Sequence, residues 1–570
     1  MPTDDAVEES NLYSQARAVD ANARYFRNWQ SMDNQYDPWK ALYKELADYV
    51  APGRGRFIDQ EGQANQKTKA SSKLINPVAA DALHMMGAGL HGGLSSPARP
   101  WFQLGFQDPD LDKFSAGRAW LDDCEKRLYA VLRRSNFYSV VHNVYEEVGG
   151  FGTGCLFVDS HPEYIVNFSY LTAGDYRFAV DERARTHCLY RKIRMQIHQM
   201  AKLFGKDKLS DTCKNLLSTN PYEWRTVLHC IEPREDYVNG SEFASQMPWR
   251  SIYLEWQNNK DVLLESGYME MPMVTPRWQA LTHEAYGWGP GPEALGISKM
   301  IQRMELNAQL AEDKFLDPPM GVPSGFKDRM LDLSPGAKNV YDKGKEGSKA
   351  FERLIDIDPN SIRLYEERIG KLETKVRRLM FNDLFLMIAN ADQSMTATEV
   401  NARQEEKMIM LGPAINRLLY EMLDPVIERV FALCGRAGLL KPPPPDVAEA
   451  EYKVEYISIL AQAQKLVNAQ SIQAYVQMAG AAAQLNPSSV DKTDMDKLME
   501  VYGDIINLPS GIVREDDQVD QIRQVKADEA ARQQALMDAQ NQAGVVKTLG
   551  DAQSGEDTAL GQLEQSMGAA

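Results

Sequence analysis

No C-x-x-C pair occurs anywhere in this chain. Its six cysteines (Cys124, Cys155, Cys188, Cys213, Cys230 and Cys434) are scattered over 570 residues. That spacing offers no thiolate cage for zinc and reads as small core residues in a reducing compartment. No run of 18 apolar residues is present, so no helix is expected to span a membrane. The first residues, MPTDDAVEES, are acidic and polar rather than secretory. A soluble, cytosolic chain is expected. Basic charge is also short: the net charge is −17, which argues against a protein that coats nucleic acid. It leaves room for one that lets DNA pass without holding it.

The motifs of catalysis and nucleotide binding are missing as well. The stretch YGWGPGPEALGISK (286–299) has the glycines of a phosphate loop but not G-x-x-x-x-G-K-[ST]. Pro290 and Pro292 remove two N–H donors that a phosphate cradle would use, and Gly296 is followed by Ile297 and Ser298. Gly287, Gly289, Gly291 and Pro292 read instead as a mechanical joint, with a helix beginning at Pro292 and Glu293 on its dipole. The glycines would allow a sharp redirection of the chain. GGFGTGCLF (149–157) precedes a strand rather than following one, the wrong order for a dinucleotide fingerprint, and reads as a tight turn. The eight histidines form no H-x-x-x-H pair. His84 and His91 stand two helical turns apart, about 10 Å by helix rise, too far to share a metal. No G-x-S-x-G elbow occurs, and the pairs Asp4-Asp5, Asp122-Asp123 and Asp516-Asp517 sit in polar surroundings. No catalytic, cofactor-binding or metal-ligating residue is nominated, and no enzyme is expected.

What is present is an α+β chain, predominantly helical and too long for one compact core. Residues 1–50 carry Tyr25, Trp29, Met32, Trp39, Leu42, Tyr43 and Leu46 at helical spacing. VAADALHMMGAGLHGGL suits a buried helix, and Arg118 to Val148 reads as another. FGTGCLFVD, YIVNFSYL, DYRFAVD and THCLYRKIRM read as strands. Ile252, Leu254 and Trp256 alternate with Tyr253, Glu255 and Gln257, and Asn258-Asn259 offers the turn of a hairpin returning through Val262 to Leu264.

A helix then runs to about Phe315 and stops at DPPMGVPSGF. Residues 318–358 are punctuated by Gly and Pro and rich in lysine. Asp358-Pro359 supplies an N-cap and a first-turn proline for the next helix. Its apolar stripe is Tyr365, Ile369, Leu372, Val376 and Leu379, where Leu295, Met300 and Met304 of the preceding helix are expected to pack. Opposite lie Arg363, Glu367, Lys371, Thr374 and Arg378, a mixed-charge face. Helices are expected at 397–411 and 415–437, a linker at the prolines 442–445, and a helix from Tyr456 to Gln484. Residues 514–543 are weakly helical, and roughly the last 25 lack the composition to fold.

Three stretches carry a resemblance to the portal, or head-to-tail connector, proteins of short-tailed double-stranded DNA phages. They are YGWGPGPEALGISKMIQRMELNAQ (286–309), MTATEVNARQEEKMIMLGPAINRLLYEMLDPVIERVFALCGRAGLL (395–440) and GGFGTGCLFVD (149–159). Their order and spacing match too. The resemblance implies a phage portal fold with wing, stem, clip and crown, assembling as a homo-oligomeric ring, a dodecamer, at one capsid vertex of the virion after assembly in the host cytoplasm. It divides the chain into a wing (1–285), a first stem helix (286–318), a clip (319–358), a second stem helix (359–382), a return to the wing with a tunnel loop (383–445), a crown (446–513) and a C-terminal helix and tail (514–570).

It further implies an axial channel that passes double-stranded DNA without sequence specificity, lined by Arg363, Glu367, Lys371, Thr374 and Arg378 and by Gln393, Ser394 and Met395 of the tunnel loop. The clip, with Lys327, Lys338, Lys343 and Lys345, would meet the terminase and then the tail adaptor. Major capsid and scaffolding proteins are further partners. No cofactor and no membrane contact are implied. The competing readings are a scaffold or internal ejection protein and a soluble multidomain enzyme. The 24 tyrosines, nine tryptophans and stranded middle weigh against a scaffold.

Overall fold

Trp29, Tyr36 and Tyr43 are buried along one long helix, α1 (Asp4–Tyr49), which carries Pro38 inside it. The computed structural model describes residues 4–54, 74–108, 111, 115–241, 243–256, 262–282, 284–317, 320–321, 352–353, 358–389, 410–448, 450–457, 475, 478 and 516–554. The buried helix expected from its small apolar residues is α2 (Val78–Leu94), followed by β1 (Phe102–Phe106). The single helix expected over 118–148 is two, α3 (Ser115–Arg134) and α4 (Phe137–Phe151). Ser135 and Asn136 part them. The Ser135 hydroxyl donates to Leu132 O and accepts from Phe137 N, while the Asn136 amide brackets the backbone of Phe168. Ser and Asn side chains compete in this way for backbone partners and interrupt helices.

All four strands expected between 149 and 196 form: β2 (Leu156–His161), β3 (Ile165–Tyr170), β4 (Tyr176–Val180) and β5 (Thr186–Gln196). Two short helices, α5 (Ile197–Phe204) and α6 (Asp211–Thr219), and a strand, β6 (Trp224–Pro233), follow without having been expected. Val227 to Ile231 of β6 are all buried, so the strand lacks the alternation of a half-exposed one. The hairpin of β7 (Trp249–Glu255) and β8 (Val262–Tyr268) forms as its alternation implies; its Asn258-Asn259 turn lies outside the described residues. Strands β4 to β8 make one antiparallel meander in chain order. On one face Tyr190, Leu228, Cys230, Ile252 and Leu254 pack on Tyr25, Trp29 and Met32 of α1, and on the other Val227 and Leu263 pack on Met200, Phe204 and Cys213.

Short strands β9 (Met273–Val274), β10 (Gln279–Ala280) and β11 (Gly287–Trp288) lead to α7 (Pro290–Leu316). Strands β12 (Met320–Gly321) and β13 (Glu352–Arg353) pair with each other, and α8 (Pro359–Leu379) returns beside α7. After α9 (Asn382–Ala389) comes α10, residues 410–436, described as one continuous helix with a π turn at Leu419–Leu423. Pro425 has no N–H and its ring would collide with the carbonyl four residues back; widening the preceding turn relieves that clash.

Beyond the proline run, β14 (Tyr452–Tyr456) pairs antiparallel with β1, Phe102 opposite Tyr456. Tyr456 therefore ends a strand rather than beginning a helix. Ladder bonds and the buried Val447 tie this segment into the same core as α3 and β1. One compact unit runs to Val467. In the second unit (468–570), α11 (Asp516–Ser554) extends beyond the expected end at residue 543, and most of its described side chains are exposed.

Candidate functional site

The glycines of 149–154 and those of 287–291 are partners. Gly152 ends α4 in the left-handed region (φ 83°), where glycine is favoured, and its N–H returns to Val148 O. Its carbonyl accepts from Trp278 N at 2.9 Å, Gly154 N donates to Pro276 O, and the Thr153 hydroxyl accepts from Gly287 N at 2.7 Å. A Cβ on Gly287 would stand 2.5 Å from Gly152 O, and one on Gly289 would stand 2.9 Å from Val148 O. A Cβ on Gly291 would overlap the Gly150 carbonyl oxygen and lie 2.8 Å from its carbon.

This corrects the reason for the glycines. None of Gly287, Gly289 and Gly291 has positive φ; they are there because backbone meets backbone. The helix also begins at Pro290, two residues before Pro292, with Gly289 as an extended N-cap. Pro292 is buried in its first turn, and the end of α4 fills the space a phosphate would need. Tyr286, at the head of the stretch, packs among Tyr36, Trp39, Tyr43 and Phe178, and Trp288 meets Trp39.

Helices α7 and α8 pack on each other, as expected of the two helices that flank the lysine-rich segment. Leu295, Ile301, Met304 and Ala308 are buried on α7, and Ile369 and Val376 on α8. Met300 is 45% exposed and does not join them, contrary to expectation; Tyr365 is 43% exposed. Asp358 caps α8 as its sequence implies, accepting from Asn360 N at 3.0 Å. Asn76 anchors the pair to the body. Its Nδ2 donates to Glu305 on α7 (2.8 Å) and Glu373 on α8 (2.7 Å), and Gln302 receives the N–H groups of Ile75 and Asn76. Nothing local in the sequence marks this residue.

Arg363, Glu367, Lys371, Thr374 and Arg378 are all exposed on α8. Glu367 and Lys371 pair at 2.8 Å one turn apart, which holds the Glu367 carboxyl below its usual range, and the Thr374 hydroxyl donates to Gly370 O. The mixed charge thus partly neutralises itself. Lys327, Lys338, Lys343 and Lys345 lie outside the described residues, as do Gln393, Ser394 and Met395. What is described of the lysine segment is the β12–β13 ladder across its two ends.

Two ion clusters hold α10, and neither is visible in local sequence because the partners lie more than a hundred residues apart. The Arg277 guanidinium, from the strand side of the joint, bonds Glu421 in the π turn (Nη2–Oε1 2.9 Å, Nε–Oε2 3.2 Å), and Arg277 N also donates to Oε2. Arg417 reaches the same carboxylate at 3.0 Å. Further along, Arg429 donates to Val158 O and to Glu270, which Arg436 also grips at 2.6 Å. His229 is fully buried, with Arg191 donating to its Nδ1 and Ser251 beside its Nε2, and burial holds its pKa well below the ordinary value.

A joint packed backbone to backbone, a helix pair tied together by Asn76 and ion pairs holding α10 are all structural features. Comparison with known proteins agrees. Residues 22–513 match the family model described as bacteriophage head to tail connecting protein, and the chain belongs to that family. A probable portal protein of Bordetella phage BPP-1 is 34% identical over 89% of this chain and 92% of its own. The portal protein of Salmonella phage epsilon15 is 31% identical over 96% and 98%. A solved chain from the virion of a native gene transfer agent particle aligns over 77% of this chain and 95% of its own, at 12% identity and a TM-score of 0.32. As a member of the family the chain is a structural component of the virion, not an enzyme. No described helix is long and apolar enough to cross a membrane.

Proposed function

We propose that the chain is the portal subunit at one capsid vertex, forming a dodecameric ring whose axial channel admits the genome during packaging and releases it at ejection. The observation that carries this reading is the α7–α8 pair, anchored at its base by Asn76 and bearing an exposed mixed-charge face. Residues 1–285 and 383–445 are assigned to the wing, 286–318 and 359–382 to the stem, 319–358 to the clip, 446–513 to the crown and 514–570 to the C-terminal helix and tail. Arg363, Glu367, Lys371, Thr374 and Arg378 line the channel, with Gln393, Ser394 and Met395 in a tunnel loop. Mixed charge suits passage: each phosphate held by an unopposed cation adds affinity and drag.

The stem of a single subunit leaves Leu306, Leu310, Phe315, Leu316 and Leu364 exposed, more apolar surface than a solitary helix pair should offer to water. Neighbouring subunits cover it. Electron microscopy of the purified protein should show rings with an axial hole; a compact monomer would overturn the assignment. Leu310→Glu combined with Leu364→Glu should leave the subunit folded by circular dichroism but prevent ring formation.

Lys327, Lys338, Lys343 and Lys345 form the clip surface that meets the terminase and then a tail adaptor, with capsid and scaffolding proteins against the wing. Lys343→Glu with Lys345→Glu should weaken adaptor binding and lower packaging yield, more so at low salt. Unchanged binding by both partners would remove the lysines from that role.

A further inference from the structure

A histidine pair that sequence spacing could not reveal is built between α2 and α4. Gly87 of α2 has no side chain where α4 comes closest: a Cβ there would lie 2.7 Å from Glu146 Cγ and 3.4 Å from His142 Cε1. The close approach brings His84 Nδ1 to 2.7 Å and His142 Nε2 to 3.3 Å from the same oxygen, Glu146 Oε1. The three donor atoms all lie within 4.8 Å of one another. We propose that His84, His142 and Glu146 bind a transition-metal dication, with Zn2+ the ion that fits.

Ligands about 2.0–2.1 Å from a tetrahedral zinc stand roughly 3.3–3.4 Å apart. The His142–Glu146 spacing already meets that value, set by one helical turn on α4. His84 needs only a small withdrawal, and its side chain, 72% exposed, is free to make it. Two imidazoles and one carboxylate form a donor set suited to zinc and its neighbours, whereas Mg2+ and Ca2+ require more oxygens. The other carboxylate oxygen is accounted for. Arg54 Nη2 holds Glu146 Oε2 at 2.8 Å and also pairs with the buried Glu147, so the carboxyl is oriented with Oε1 toward the histidines. Such outer-sphere support is what metal-binding carboxylates ordinarily have. The exposed side, beyond His84, leaves the remaining coordination positions to water.

The full-length protein, stripped with chelator, should be titrated with Zn2+ in a calorimeter and with Co2+ in a spectrophotometer. One site per subunit is expected, with a Co2+ spectrum of nitrogen and oxygen ligation and without thiolate charge transfer, which separates it from the six cysteines. His84→Ala should lower the affinity roughly 100-fold or more, beyond the 10–100-fold typical of outer-sphere changes. His142→Gln should do the same. Mg2+ in place of Zn2+ should give no heat. Because His84 is exposed, its replacement decides the question even if the His142 variant does not fold. Equal Zn2+ binding by the wild type and His84→Ala, or a thiolate spectrum, would reduce the cluster to an ion-pair network and overturn the proposal.

Discussion

Gly291→Ala should abolish recovery of folded protein, while Gly296→Ala, five residues along the same helix, should leave it intact. The nearest atoms to an added methyl group at 291 are all backbone of Gly150: it overlaps the carbonyl oxygen and stands 2.8 Å and 3.0 Å from the carbon and Cα. Backbone cannot rotate away as a side chain can. Nor has α4 much room to retreat, since even a Cβ added at Gly149 or Gly150 would crowd Leu83 of α2 at 3.0 Å and 3.1 Å. Overpacking of this kind costs about 3 kcal/mol or more. A Cβ on Gly296 meets nothing within 4 Å, so alanine there should stabilise the helix by up to about 1 kcal/mol. Soluble yield and thermal denaturation distinguish the two. A Gly291→Ala protein that melts with the wild type would refute the packing account, and ATP binding dependent on this stretch would refute the joint itself.

The second large effect concerns Glu421. Arg277 is 2% exposed, and Glu421→Ala would strand its guanidinium in the interior, at a cost of about 3–5 kcal/mol. Arg277→Met should cost clearly less, because Glu421 keeps Arg417 at 3.0 Å and is itself nearer solvent. The exposed pair Glu367–Lys371 offers the contrast: Lys371→Ala should change stability by no more than about 0.5 kcal/mol. Urea denaturation of the three variants measures the order. If Arg277→Met and Glu421→Ala were equally damaging, the asymmetry argued from Arg417 would fail.

Local chemistry made the start of α8, its apolar stripe and the β7–β8 hairpin readable, because a cap, a helical period and a strand alternation are all written within a dozen residues. The opposite holds for β6, buried on both faces, and for β1 and β14, whose partners are some 350 positions apart. The π turn before Pro425 and the split between α3 and α4 had local causes that only the bond pattern made plain.

The candidate site divides in the same way. The five polar residues of α8 lie on its exposed face as their spacing required, while the tie from Asn76 to α7 and α8 and the grip of Arg277 on Glu421 had no sequence signal. The amino-acid sequence alone determined the class of protein and the approximate spans of α7 and α8, since motifs, caps and helical period are written among neighbours in the chain. Only the tertiary structure decided why the glycines are there and which histidines meet. Two segments more than a hundred residues apart meet backbone to backbone at several glycines, and two helices close over Gly87. Contacts between distant segments leave residue types in the sequence but not their pairing.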